Sequence, residues 1–190
     1  MNFYNHFIQD LKIALEELKS SLPSGEVIDN QTAIETWSKW THELSISKNT
    51  MYFIGNGASA MMAGHMSADA TKNGEIKATC FNESSLMTAI SNDINFEEVF
   101  SYPLKRFAHK GDILVTISSS GNSPNIIKGI EAAKELGLKI ITLSGLKEEN
   151  QSRKMGDLNF YVPAKTYGLT ESAHQALLHA WLDFYIEKYL

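Results

Sequence analysis

The sequence predicts an α/β protein: a parallel five-stranded sheet flanked by helices, with two helices ahead of it. Two observations carry this. From Thr50 onward, short continuous apolar runs alternate with helical segments. Such runs mark strands buried on both faces, as in a parallel sheet covered by helices. Before Thr50 there is helical periodicity and no strand pattern.

The elements follow in order. Phe3, Phe7, Ile8, Leu11, Leu15 and Leu18 fall on one stripe at three- and four-residue spacing, which predicts a helix over residues 3–20. Pro23, Ser24 and Gly25 end it. A second helix is expected from Gln31 to Ile46. Residues 51–54 read as a strand, 59–70 as a helix and 77–81 as a short strand. Residues 85–107 read as one or two helices, with Pro103 marking a kink or break. Residues 112–117 form a strong buried strand. A helix over 123–136 ends at Gly137, whose lack of a side chain suits a helix C-terminus. Strands are expected at 138–143 and 158–162, a short helix at 148–155, and a closing helix at 172–189. The chain divides at about residue 48. Residues 1–48 are N-terminal helices used in packing or in oligomerisation, and residues 49–190 are the ligand-binding domain, the two making one structural unit.

Composition excludes several classes. The 190 residues hold 17 Lys and Arg against 22 Asp and Glu, a mildly acidic balance unsuited to nucleic acid as main partner. No apolar run is long enough to span a membrane. Asn2, Asn5, His6 and Asp10 do not make the basic start and apolar core of a secretion signal. The single cysteine, Cys80, allows no internal disulfide and suits a reducing cytosol, so a cytoplasmic protein is expected.

Two strands end in the same kind of loop. One reads Ile54-Gly-Asn-Gly-Ala-Ser59, the other Ile117-Ser-Ser-Ser-Gly-Asn-Ser123, and each opens a helix. Glycine admits a ligand close to the backbone, the helix start offers free N–H groups, and serine adds hydroxyl donors; together these suit an anion. The ending Gly-Lys-Ser/Thr of a nucleotide P-loop is missing. His65 and Asp69 lie four apart on the helix after the first loop and share a face. Such a pair is a metal half-site, an acid/base pair or a core hydrogen bond. The closing helix carries Glu171, His174, Gln175 and His179. Glu171 and His179 are eight residues apart, about 12 Å along a helix, so they share a ligand only by leaning together or from different subunits.

Gly55-Asn-Gly-Ala-Ser59, His65, Asp69, Ser91-Asn-Asp93, Ser118-Ser-Ser-Gly-Asn-Ser123, His174 and His179, in that order and spacing, resemble the phosphoheptose isomerase branch of the sugar isomerase (SIS) domain family. The resemblance covers nearly the whole chain. It implies the flavodoxin-like SIS fold and an aldose–ketose isomerase, interconverting sedoheptulose 7-phosphate and D-glycero-D-manno-heptose 7-phosphate through an enediol, for heptose-containing surface polysaccharides. It implies a homo-oligomer, a tetramer in that branch, with sites at subunit interfaces, and one Zn²⁺ per subunit with no organic cofactor. It assigns Ser118, Ser119, Ser120 and Ser123 to the phosphate, and Asn56, Gly57, Ala58, Ser59, Asn92 and Asp93 to the sugar. Asp69 and Glu171 also belong to its substrate-binding set. His65, Asp69, Glu171 and His179 take the metal positions, with Asp69 and His179 catalytic.

The sequence departs from that family in four places. The family has Glu where Asp69 stands, Gln where Glu171 stands and Gly where Ala58 stands. An Arg is replaced by Asn73, with Lys72 adjacent. Asp69 is shorter than Glu by about 1 Å, a shift that can cost about a hundredfold in rate. Glu171 adds a negative charge that would tighten a divalent cation. The two read as a compensating pair, as the mark of another sugar phosphate, or as a weakened paralogue. The alternative class is a non-catalytic module that binds a sugar phosphate or a protein partner. It would need the serine loop but not His65, Asp69 and His179.

Overall fold

The apolar runs after Thr50 become the centre of one sheet, in a computed structural model that describes residues 2–190. Five strands run parallel: β3 (Met51–Gly55), β4 (Ala78–Cys80), β5 (Ile113–Ser118), β6 (Lys139–Gly145) and β7 (Leu158–Val162). Their spatial order is β7-β6-β5-β3-β4. β3, β5 and β7 are buried along their whole length, which is why their sequences show no polar alternation.

The sheet has seven strands, which corrects the expected count of five. β1 (Lys19–Ser21) pairs antiparallel with β7, and β2 (Val27–Ile28) pairs antiparallel with β1. The expectation of helix to residue 20 and no strand before Thr50 is overturned here. The first helix, α1 (Phe3–Glu16), stops early. β1 has no apolar pattern because polar bonds hold it: Ser20 donates to Asn30 Oδ1 at 2.7 Å, and Asn159 donates to the Ser21 carbonyl at 3.3 Å.

Helices cover both faces, and successive strand residues feed alternate cores. On one face α2 (Asn30–Ile46), α3 (Ala58–Lys72) and α7 (Tyr167–Tyr189) pack Trp37, Met66 and Trp181 against Met51, Phe53 and Phe160. Trp37 stacks on Trp181 at 4.4 Å. On the other face α4 (Ser84–Asp93), α5 (Ser101–Phe107) and α6 (Pro124–Leu136) bury Ile90, Leu104 and Ile130 against Tyr52, Ile54 and Leu114. α1 lies on α7, with Phe7, Leu11 and Leu15 packed near Leu169 and Ala173. No described helix is long and apolar enough to cross a membrane.

Three boundaries differ for physical reasons. The segment 84–107 breaks at Ile94 and Asn95, with a 3₁₀ turn at Phe96–Glu98; Pro103 sits in the first turn of α5, where its missing N–H costs nothing. Residues 148–155 hold only a 3₁₀ turn, Ser152–Lys154. α7 starts at Tyr167, because Thr166 caps it by accepting from the Leu169 amide. Gly137 ends α6 with φ +77, as expected.

His174 joins α7 to the sheet. It is fully buried, with Nε2 3.1 Å from the Ser144 carbonyl at the end of β6, and its Nδ1 has no partner. Burial lowers its pKa to about 4, so it stays neutral at pH 7 and Nε2–H donates. The unfolded histidine titrates near 6.5. Stability is therefore full above that pH and falls as pH drops toward about 4. At pH 5 this group alone should remove about 2 kcal/mol. His174→Gln should show that much less loss between pH 7 and pH 5 in urea denaturation. An identical loss in the variant would put the acid sensitivity elsewhere.

Candidate active site

The chain leaves β3 through α3 to reach β4 at one edge, then returns to the opposite side of β3 as β5 and continues through α6 to β6. The direction of winding reverses between β3 and β5. Open parallel sheets bind ligands at such a reversal, beyond the carboxyl ends of the strands. Gly55 pairs with Ile117, so the two glycine-containing loops emerge beside each other.

Each loop is fixed by close contacts. A Cβ on Gly55 would lie 2.6 Å from the Ser59 backbone, so only glycine lets α3 start there. Gly121 has φ +62, and a Cβ on it would collide with the Asn150 side chain. Asn150 in turn bonds Ser144 Oγ at 3.2 Å and accepts from the Arg153 amide at 3.0 Å, bracing the serine loop from the β6–β7 connection. Asn56 and Asn125 exchange two side-chain hydrogen bonds, at 2.9 and 2.8 Å, and tie the loops together.

Between the loops lies a crevice of about 130 Å³, lined by Asn56, Ser59, Ser118, Ser119, Ser120 and Ser123 from the loops, and by Tyr167 and Glu171 from α7. The Ser119 hydroxyl is buried and has no hydrogen-bond partner. Buried polar groups are normally paired, so this hydroxyl is left available to a ligand. Ser123 is the residue before α6, yet its side chain caps nothing and stays free. Among the described residues, no lysine or arginine lines the crevice.

A second group forms where α3 packs on α7. One ligand atom from each of His65, Asp69 and His179 lies within 4.8 Å of the other two. His65 Nε2 approaches Asp69 Oδ2 at 3.3 Å, and the rings of His65 and His179 meet edge to face at 5.3 Å. Two imidazoles and a carboxylate are a donor set suited to zinc with an open fourth position. Glu171 is not in this group; it faces the crevice. Gly57 and Ala58 are exposed at the start of α3. Asn92 and Asp93 are exposed at the end of α4, where Asn92 donates to Asp93 at 2.8 Å, and neither lines the crevice.

Sequence reasoning passed over Asn125 and Tyr167. Asn125 is 2% exposed on the first turn of α6. The one signal was an amide directly after Pro124, inside a buried helix start. Tyr167 became visible only once α7 was found to begin there.

Crevice and loops define an α/β protein that presents hydroxyls and helix starts at the carboxyl ends of its parallel strands. The SIS domain family model matches residues 20–145. A phosphoheptose isomerase of Helicobacter pylori is 33% identical over 178 residues, covering 90% of this chain and 88% of its own length. Another, from Aromatoleum aromaticum, is 35% identical over 138 residues, covering 68% and 69%. The solved phosphoheptose isomerase of Neisseria gonorrhoeae superposes with a TM-score of 0.81 at 27% identity, over 95% of this chain and 94% of that one. The chain belongs to the phosphoheptose isomerase family of SIS domain proteins.

Ser119→Ala tests the crevice directly. Removing a buried, unpartnered hydroxyl should leave the melting temperature unchanged or slightly raised. Loss of a bond to a charged phosphate is worth roughly 1.5–3 kcal/mol, so affinity for a phosphate ester should fall about ten- to hundredfold. Unchanged affinity in calorimetric titration would make the loop a turn and nothing more.

Proposed function

We propose that this chain is an aldose–ketose isomerase that converts sedoheptulose 7-phosphate to D-glycero-D-manno-heptose 7-phosphate. One observation carries the reading: an unpartnered serine hydroxyl in an anion crevice, with the histidine–carboxylate group on the two helices that start at or line that crevice. The relatives named above are phosphoheptose isomerases, and their similarity spans most of this chain.

In this reading the serine hydroxyls and the start of α6 hold the phosphate, and Asn56 and Glu171 receive sugar hydroxyls. Asn92 and Asp93, with Gly57 and Ala58, belong to the sugar's outer contacts. Asp69 and His179 exchange the proton between C1 and C2 and between the two oxygens, through an enediol. His65 holds the Asp69 carboxylate in place. His65, Asp69 and His179 would hold Zn²⁺, with Glu171 as a further ligand where it can lean in. Bound there, the ion would polarise the carbonyl and stabilise charge on the enediolate oxygen.

Glu171 and His179 are two helical turns apart on α7, about 12 Å. That distance favours an assembly in which one subunit's acid–base group completes another's crevice. The exposed apolar residues of α1, Phe3, Tyr4, Ile8 and Ile13, supply a surface for such a homotetramer. The reading places the enzyme in the cytoplasm, with Cys80 reduced.

Kinetics on sedoheptulose 7-phosphate test the chemistry. His179→Ala should lower kcat by about 10²–10⁴-fold, the range for a lost general acid or base. Asp69→Asn should do nearly as much, and the double variant little more, because groups that act as one unit are not additive. Zinc content measured on the same variants separates a lost ligand from a lost base. Wild-type turnover in His179→Ala would sink the assignment.

Light scattering tests the assembly. A tetramer is expected at micromolar concentration. A particle of the 21.2 kDa monomer mass would remove the shared site.

A further inference from the structure

A second cavity, about 490 Å³ against about 130 Å³ for the crevice, opens at the other end of the parallel strands. Thr50 and Asp112, which precede β3 and β5, and Lys77, which precedes β4, mark its floor. β4 is the edge strand, so the cavity opens to solvent on that side. Its size is that of a small-molecule site.

Its wall is aromatic and ordered. Tyr52 and Phe81 stack at 5.5 Å and 17°, and Phe81 and Phe107 at 6.3 Å and 27°. Three nearly parallel rings make a row that ends at Phe107, which is 59% exposed. Tyr52 donates its hydroxyl to the Phe107 carbonyl at 2.9 Å, which keeps the phenol in place and leaves the rings as the working surface. A further planar ring extends such a row at little cost in conformational freedom.

Two lysines and two carboxylates line the cavity. Both carboxylates are turned to backbone N–H groups, which leaves the lysines as the charged groups able to meet a ligand. Asp112 accepts from Thr50 at 2.8 Å and from His109 at 2.7 Å. Glu83 accepts from Ser85 at 3.0 Å and from Leu86 at 2.8 Å, capping α4. Lys48 and Lys77 are exposed and make no ion pair among the described residues. Lys48 also holds φ +58 just past the end of α2, a left-handed position that glycine takes more easily.

We propose that this cavity is a second ligand site, for a planar aromatic anion whose ring continues the Tyr52–Phe81–Phe107 row and whose charge meets Lys48 and Lys77. It is separate from the sugar-phosphate crevice, at the opposite ends of β3 and β5. Thr79, opposite Tyr52 on the exposed edge strand, lines it too.

The probe is 8-anilinonaphthalene-1-sulfonate, added to the full-length protein in its native assembly, with its fluorescence as the readout. Binding should saturate at one probe per chain. Lys48→Glu with Lys77→Glu should weaken it roughly tenfold. Thr79→Trp, filling the cavity from the exposed edge strand, should abolish it. The uncharged analogue N-phenyl-1-naphthylamine should bind less tightly. Isomerase turnover should be unchanged in the lysine variant, and excess sugar phosphate should not displace the probe. Three results would each overturn the proposal. They are full binding in Thr79→Trp, equal binding in the lysine variant or by the uncharged analogue, and displacement of the probe by sugar phosphate. Failure of isomerase activity in the wild type would leave these outcomes readable, since none depends on turnover.

Discussion

The crevice depends on the parallel pairing of β3 with β5. With Gly55 opposite Ile117, two loops leave the sheet at the same height, and two helices begin beside one another. Each helix start brings free N–H groups and the positive end of a dipole, and neither needs a charged side chain to attract an anion. A shift of either strand by one residue would turn every side chain to the other face and separate the loops. The pairing is protected by burial, since residues of β3 feed one core with Met51 and Phe53 and the other with Tyr52 and Ile54. The paired amides of Asn56 and Asn125 then join the loops above the sheet.

Much of this was legible because burial leaves a mark on residue choice. The strand at Leu158–Val162 was placed to the residue, and the left-handed Gly137 followed from the rule for helix ends. β1 was not legible, since Ser20 and Ser21 are buried polar residues held by Asn30 and Asn159. Apolar periodicity is blind to such a strand. The start of α7 was missed because the cap is Thr166, placed after Pro163 and Ala164, where nothing periodic yet runs.

The site shows the same division. His65 with Asp69 could be read from spacing, because four residues on a helix share a face. His179 lies more than a hundred residues away and joins them only through the packing of α3 on α7; the family resemblance, not spacing, grouped it with them. Glu171 was grouped there too, and it sits in the crevice among the serines instead of beside the two histidines. Eight residues along a helix are closed only by side chains that lean together or by a second subunit, which joins the question of Glu171 to that of assembly.

The crevice carries hydroxyls and helix starts but no lysine or arginine, and one carboxylate, Glu171, faces into it. Binding sites that rely on cationic side chains lose affinity as ionic strength rises, because mobile ions screen the attraction. In the proposed reading the attraction comes from short-range donors, and the full charge that faces the crevice is the repulsive one of Glu171. Added salt should therefore leave phosphate capture intact or slightly favour it. A phosphate held in this way would be taken by contact, without being drawn in from a distance.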